Sequence, residues 1–250
     1  LEAINKAYLG IDVGGTGIKA ALIDVATGDL LTEKLRMLTP KPATPLAVAE
    51  VIKRAIEHFD YNGPVGCGFP SVIKNNHVRT ATNLDSSWIN LNIQSWFNEH
   101  CGQSFEVLND ADAAGLAELH FGAAKGCNGL VIMITIGTGV GSGMYFNGRL
   151  LQNTELGFLP VKGGIAETRI SNRARVKGHL GWMVWGKRLN EYLQSLERLF
   201  SPEIIVLGGG VSKKFDLYSK FLQLDTPVVP AAMQNNSGCV GAAWYAASKG

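Results

Sequence analysis

The stretch D-V-G-G-T-G-I-K-A-A-L-I-D, Asp12 to Asp24, decides how this chain is read. It follows the apolar run Tyr8, Leu9, Gly10, Ile11, so a strand enters a tight turn at Gly14 and Gly15 and a second strand, Ile18 to Ile23, leaves it. A turn built of glycine leaves its backbone N–H groups open to an anion. Thr16 adds a hydroxyl at the turn and Lys19 a positive charge beside it. Asp12, at the end of the first strand, suits a hydrated divalent cation, because a hard cation takes oxygen ligands and keeps several of its waters. The order strand, turn, strand separates this segment from the GxGxxG fingerprint and from GxxxxGK[ST], neither of which occurs in the chain. Taken alone, the same residues also fit a hairpin that only reverses the chain.

A second glycine run, I-G-T-G-V-G-S-G from Ile136 to Gly143, offers another anion turn at Gly137, Thr138 and Gly139. It lies within Asn128 to Gly148, a stretch without formal charge that resembles a membrane span in composition. Glycine at every second position weakens a helix, so two strands around a turn are expected there. Further strands are expected at Leu30 to Met37, Val65 to Phe69, Phe105 to Leu108 and Ile204 to Leu207. Helices are expected from Pro45 to Phe59, Ala111 to Phe121, Trp185 to Leu199 and Cys239 to Ala247. In the third of these, Trp185, Leu189, Tyr192, Leu193 and Leu196 recur three or four apart and form a core face, while the alanine-rich last helix should be buried. The pattern is that of mixed α/β lobes, each with its own sheet.

The 250 residues, 46% of them hydrophobic, exclude disorder and suffice for one large domain or two lobes. Cys67, Cys101, Cys127 and Cys239 show no CxxC spacing and the five histidines form no HxxH or HExxH cluster, which points to free thiols in a reducing cytoplasm and to no zinc. Net charge is +2, unevenly spread: residues 1–110 hold nine Lys/Arg and twelve Asp/Glu, residues 111–250 fourteen and nine. Between Lys162 and Arg188 seven basic residues, Lys162, Arg169, Arg173, Arg175, Lys177, Lys187 and Arg188, accompany one acid, Glu167. Such a tract suits a polyanion and equally suits a solvated helix face. No helix-turn-helix, zinc-finger or aromatic single-strand platform accompanies it, so nucleic acid is not the expected partner.

The segment N-D-A-D-A-A-G carries the chemistry. Asn109 and Asp110 leave a strand just before a helix, the position where α/β folds present ligand-handling groups. Asp110 can accept a proton from a hydroxyl as a phosphoryl group is attacked in line, and it can instead cap the helix. Asp112 is a second candidate for the cap or for complementing the helix dipole.

Together, DVGGTGIKAALID, NDADAAGLAE, IGTGVGSG and VLGGGVS resemble the ROK family (repressor, open reading frame, sugar kinase) of the actin-like ATPase superfamily, over nearly the whole chain. SWINLNI at Ser87 to Ile93, TELGF at Thr154 to Phe158, AETRIS at Ala166 to Ser171, LFSPEIIVLGGGVSKKFD at Leu199 to Asp216 and TPVVPAAMQNNSGCVGAAW at Thr226 to Trp244 narrow the likeness to its inorganic polyphosphate glucokinase branch. The resemblance implies an α/β fold of two ribonuclease-H-like lobes around a cleft. Residues 1–110 would form a smaller lobe and 111–238 a larger one, with 239–250 packing back on the first. Asp110 becomes the base for the 6-hydroxyl of glucose. Gly68, Asn83, Asn109, Glu155 and Glu167 join it as sugar-binding residues, since carboxylates and carboxamides grip vicinal hydroxyls. Asp12, Gly14, Gly15, Thr16, Lys19, Gly137, Thr138, Gly139, Gly209 and Gly210 hold the donor phosphates with Mg²⁺. Lys162, Arg169, Arg173, Arg175, Lys177, Lys213 and Lys214 form a polyphosphate tract, because a repeating polyanion gains from each added cation.

Two departures qualify the likeness. Much of the family has a histidine where this chain has Phe158, followed by a cysteine-rich zinc loop, yet residues 159–166 read LPVKGGIA. Zinc is therefore not expected, and the altered grip at the anomeric end admits mannose beside glucose. Only LEAINKAY precedes Leu9, so the helix-turn-helix of the family's DNA-binding branch is not expected. The resulting expectation is a cytoplasmic glucokinase, monomer or homodimer and without a membrane partner, that uses polyphosphate and ATP. An ATP-only hexokinase and a non-catalytic sugar sensor are the alternatives.

Overall fold

A computed structural model describes residues 7–82 and 84–250, which divide into two compact units, Leu1–Ala117 with Asn236–Gly250, and Glu118–Asn235.

The first unit is built on a five-stranded sheet: β1 (Ala7–Val13), β2 (Gly17–Asp24), β3 (Leu35–Leu38), β4 (Val65–Phe69) and β5 (Phe105–Asn109). Their order is β3-β2-β1-β4-β5, antiparallel from β3 to β1 and parallel from β1 to β5. All five residues of β4 are buried, as expected for a strand covered on both faces. On one face α1 (Pro45–His58) and α2 (Ile93–Cys101) pack over Leu9, Ile11, Val65 and Cys67, joined by the ring cluster of Phe69, Trp88, Phe97 and Phe105. Thr44 caps α1, its hydroxyl accepting from Ala47 N, and Asn92 caps α2 by accepting from Ser95 N. On the other face lies the C-terminal helix, Ser237–Ala247, at backbone contact. A Cβ on Gly10 would stand 1.9 Å from Cys239 O, and one on Gly66 1.8 Å from Ala242 O. The sheet therefore needs glycine at these two points for a helix that is apolar on all sides to lie flat against it. From β5 the chain enters α3 (Asp110–Phe121), and the unit boundary falls inside this helix, after Ala117.

The second unit repeats the design. Its strands β6 (Leu130–Ile136), β7 (Val140–Phe146), β8 (Arg149–Leu151), β9 (Ile204–Gly208) and β10 (Val228–Pro230) lie in the order β8-β7-β6-β9-β10, with the same polarities. This is the ribonuclease-H-like sheet twice over. The uncharged stretch Asn128 to Gly148 is the β6–β7 hairpin, paired from Leu130↔Phe146 to Ile136↔Val140. Short helices α4 (Ala166–Ile170) and α5 (Asn172–Lys177) lead to the long α6 (Trp182–Phe200), then α7 (Phe215–Tyr218). Trp185, Leu189, Tyr192, Leu193 and Leu196 form the buried face of α6, as their spacing predicts. Glu118 is 1% exposed; its carboxylate accepts from Ala123 N, Ala232 N and Met233 N, fixing the loop after β10. Among the described residues no helix is long and apolar enough to cross a membrane.

The strand expected over Leu30 to Met37 is mostly irregular. Only Leu35–Leu38 is a strand, and Leu30 makes an isolated bridge to Ile23. The reason is local: Thr32 Oγ1 accepts from Leu22 N in place of a backbone carbonyl, which interrupts the ladder, and Leu31 turns outward. The three-residue edge strands β8 and β10 are too short to carry a period in sequence, and neither is legible there.

Candidate active site

Parallel pairing aligns the carboxyl ends of β1, β4 and β5, with Asp12 opposite Gly68, Gly68 opposite Leu108 and Phe69 opposite Asn109. Asp12, Gly68, Asn109 and Asp110 thus share one edge of the first sheet. A Cβ on Gly68 would lie 3.6 Å from Asp110 Cα and 3.3 Å from Ala113 Cβ, so the absent side chain lets the start of α3 approach the strand end.

Asn109 caps α3. Its Oδ1 accepts from Ala111 N (2.8 Å) and Asp112 N (3.2 Å), and its Nδ2 donates to Ser71 O (3.1 Å). The capping role that the sequence offered to Asp110 and Asp112 thus falls to Asn109, one residue before the helix, where a side-chain oxygen reaches the first free N–H groups. Asn109 is 8% exposed, and one Nδ2 hydrogen beyond the Ser71 bond remains for a ligand. Asp110 is the first helical residue, half-buried, with Oδ1 accepting from Ala111 N at 2.8 Å. It stands at the positive end of the α3 dipole.

Asp12 and Lys19 face each other across the β1–β2 ladder and form an ion pair of 2.7 Å. Burial works against the charge on Lys19, but the Asp12 carboxylate outweighs it and leaves the ammonium pKa above its ordinary value. The Gly14 turn is closed by Gly14 N donating to Gly17 O at 3.0 Å, and Thr39 Oγ1 donates to Gly14 O. Gly15 and Thr16 are exposed at its tip. Gly238, in the first turn of the C-terminal helix, packs on Asp12, where a Cβ would come within 2.7 Å of Cγ. Among the described residues no group of three or more His, Cys, Asp or Glu is arranged to hold a metal. Asp12 fits the other mode, a single carboxylate that meets Mg²⁺ through its waters while phosphates supply further oxygens.

In the second unit β6 and β9 are parallel neighbours, with Thr135 opposite Gly208, so their glycine turns emerge side by side. Gly137 N donates to Gly139 O at 2.9 Å. Gly209 has φ +76° and sits on the end of β6, its absent Cβ only 2.4 Å from Ile136 O. Gly137 and Gly210 differ: neither has a left-handed backbone, and a Cβ on either would meet nothing within 4 Å. Packing gives no reason for glycine at these two positions, whereas close approach of a ligand does.

Three distant motifs meet at Val140. Glu167 Oε2 accepts from Val140 N at 3.0 Å and fills the space over Gly139, where a Cβ would be 2.5 Å away. Gly157 lies against Val140 O, which brings the turn following Glu155 to the same place. Ser142 Oγ ties that turn down by donating to Thr154 O and accepting from Leu156 N. Desolvation first, and the Glu167 carboxylate second, hold the Glu155 pKa above the ordinary carboxylate value. Asn83, the remaining sugar-loop residue, lies outside the described residues. Residues 160–165, next to Phe158, form a two-residue hairpin with Val161 opposite Gly164.

The basic tract is not uniform. Arg169 is bound to Lys162 O and pairs with Glu191 at 3.4 Å, Arg173 faces Glu167 at 3.8 Å, and Arg175 lies 4.1 Å over the Trp182 ring while bonding Asn172 Oδ1 and Leu180 O. Lys162, Lys177, Lys213 and Lys214 are exposed. Sequence reasoning counted these cations alike, because partners such as Glu191 and Trp182 lie up to 22 positions away. It also missed Val140, Ser142, Thr39 and Gly238; Val140 and Ser142, both set between the glycines of IGTGVGSG, carried a positional signal.

The ROK family profile matches residues 8–162. A polyphosphate glucokinase of Mycobacterium tuberculosis (strain CDC 1551 / Oshkosh) is 46% identical over 235 residues, 94% of this chain and 89% of the relative. The crystal structure of an inorganic polyphosphate/ATP-glucomannokinase from Arthrobacter sp. strain KM matches with a TM-score of 0.94 and 43% identity, over 98% of this chain and 100% of that one. A ROK hexokinase from Thermus thermophilus matches with a TM-score of 0.75 and 27% identity, over 97% and 98%. The duplicated sheet, the motifs at its strand ends and these likenesses agree: the fold is that of the actin-like ATPases, and the chain belongs to the ROK family.

Proposed function

We propose that this protein is a polyphosphate- and ATP-dependent glucokinase that phosphorylates the 6-hydroxyl of glucose and accepts mannose as well. The observation that carries the reading is the whole-chain likeness to the glucomannokinase, at 43% identity and a TM-score of 0.94. The Asp110 carboxylate takes the proton of the 6-hydroxyl. The freed oxygen attacks the terminal phosphorus in line, and the bond to the bridging oxygen breaks. The products are the sugar 6-phosphate and either a polyphosphate one unit shorter or ADP. Asn109 orients the sugar with its remaining amide hydrogen, Gly68 approaches through its backbone, and Glu155 and Glu167 accept from ring hydroxyls. The two glycine turns of the second unit hold the donor phosphates through backbone N–H groups. Asp12 would hold Mg²⁺ through the ion's waters, and the ion would supply neutralising charge to the donor oxygens. Phe158, where much of the family has histidine, supports acceptance of mannose. The four free cysteines, three of them buried, support a reducing cytoplasmic setting.

The test is sugar 6-phosphate formation with long-chain polyphosphate freed of ATP, and separately with ATP, each with Mg²⁺ and either glucose or mannose. Product from both donors is expected. Product from ATP alone would reduce the protein to an ATP-dependent hexokinase, and sugar binding with no transfer from either donor would make it a sensor.

A further inference from the structure

Resting on the donor reading above, we infer that Lys213 and Lys214 are the residues that favour polyphosphate over ATP, by holding phosphates beyond those that ATP possesses. Both follow directly from the Gly209–Gly210 turn and occupy a short 3₁₀ turn, Ser212–Lys214, with a fixed backbone. Ser212 donates to Gly209 O through its hydroxyl (2.8 Å) and its N–H (3.2 Å), Lys214 N donates to Val211 O (2.9 Å), and Tyr218 Oη donates to the same carbonyl (3.3 Å). The two ammonium groups are thus carried on a braced stub beside a glycine over which the space is open. Both side chains are exposed, and among the described residues neither enters an ion pair, although Asp216 stands close in sequence.

The arginines are committed elsewhere: Arg169 to Glu191 and a backbone carbonyl, Arg173 to Glu167, and Arg175 to Trp182, Asn172 and Leu180. Using them for the donor would break those contacts, while using Lys213 and Lys214 breaks none. A nucleotide donor has three phosphates and then an uncharged sugar and base, so a cation placed past the glycine turn gains little from it. A polyphosphate carries its charge on past the turn, and each further phosphate within reach adds an attraction that salt screens.

The experiment compares wild type, the double variant Lys213→Gln/Lys214→Gln and the charge-conserving Lys213→Arg/Lys214→Arg, measuring KM for long-chain polyphosphate and for ATP at several salt concentrations. The glutamine variant should raise the polyphosphate KM about tenfold and flatten its salt dependence, leave the ATP KM within about twofold, and keep the wild-type melting temperature. The arginine variant should restore the polyphosphate KM. Equal rises for both donors, or no rise for polyphosphate in a wild-type background active with both, would overturn the lysine assignment alone. A wild-type protein active only with ATP would overturn the donor reading and this assignment with it.

Discussion

Gly209 and Gly210 are adjacent and chemically identical, yet the structure gives them different reasons to be glycine, and replacing each with alanine separates the two. At Gly209 the backbone has φ +76°, which costs a residue with a Cβ about 1–2 kcal/mol. The new methyl would also stand 2.4 Å from Ile136 O and 2.7 Å from Ile136 N, backbone atoms of the central strand that cannot rotate away. Overpacking of this kind costs about 1–3 kcal/mol. A total near 3 kcal/mol lowers the melting temperature by roughly 6–12 °C for a chain of this size. At Gly210 the backbone is ordinary and a Cβ meets nothing within 4 Å, so Gly210→Ala should stay within about 0.5 kcal/mol of wild type. On the proposed donor site it should nevertheless raise the donor KM, because the methyl enters the open space there assigned to phosphate. Thermal unfolding followed by circular dichroism, with donor KM on the same preparations, provides both readouts. An unchanged melting temperature for Gly209→Ala would refute the packing argument, and wild-type donor KM for Gly210→Ala would refute the phosphate argument.

Native-state alkylation at pH 8 should modify Cys127 and spare the other three thiols: desolvation pushes Cys101 and Cys239 up to about 12 and Cys67 upward as well. Mass spectrometry of the labelled peptides checks this, and rapid labelling of Cys239 would show that the C-terminal helix does not stay packed. Glu118→Ala leaves three backbone N–H groups without their acceptor, and urea unfolding should report a loss of about 3 kcal/mol or more; a loss under about 1 kcal/mol would mean that water replaces the carboxylate without cost. Glu167→Gln keeps an oxygen for Val140 N but loses the charge facing Arg173. Isothermal titration should show glucose affinity falling about tenfold with little change in melting temperature, whereas unchanged affinity with a lowered melting temperature would make Glu167 purely structural.

The longer strands of both sheets were legible because they alternate with period two or run fully apolar, and because glycine punctuates both hairpins; the duplication itself came from the family resemblance. What stayed hidden depends on partners. N-D-A-D offered Asp110 and Asp112 as caps, and only the geometry of the β5–α3 junction reveals Asn109 in that role. A count of cations between Lys162 and Arg188 does not reveal that Glu191 and Trp182 have already engaged two of the arginines. Val140 has no chemistry of its own in the sequence, yet its N–H and carbonyl organise Glu167 and the Glu155 turn. Short edge strands and side-chain substitutes for ladder bonds, as at Thr32, leave no periodic trace.

The central claim is that Asp110 takes the proton as a phosphoryl group passes to the sugar. Asp110→Asn keeps a side-chain oxygen for Ala111 N, so the helix start should survive. The decisive measurement is the rate of glucose 6-phosphate formation by this variant with saturating polyphosphate and with saturating ATP, on protein whose melting temperature matches wild type. The kcat should fall roughly a hundredfold or more with both donors while glucose still binds. Near-normal kcat with either donor would contradict it.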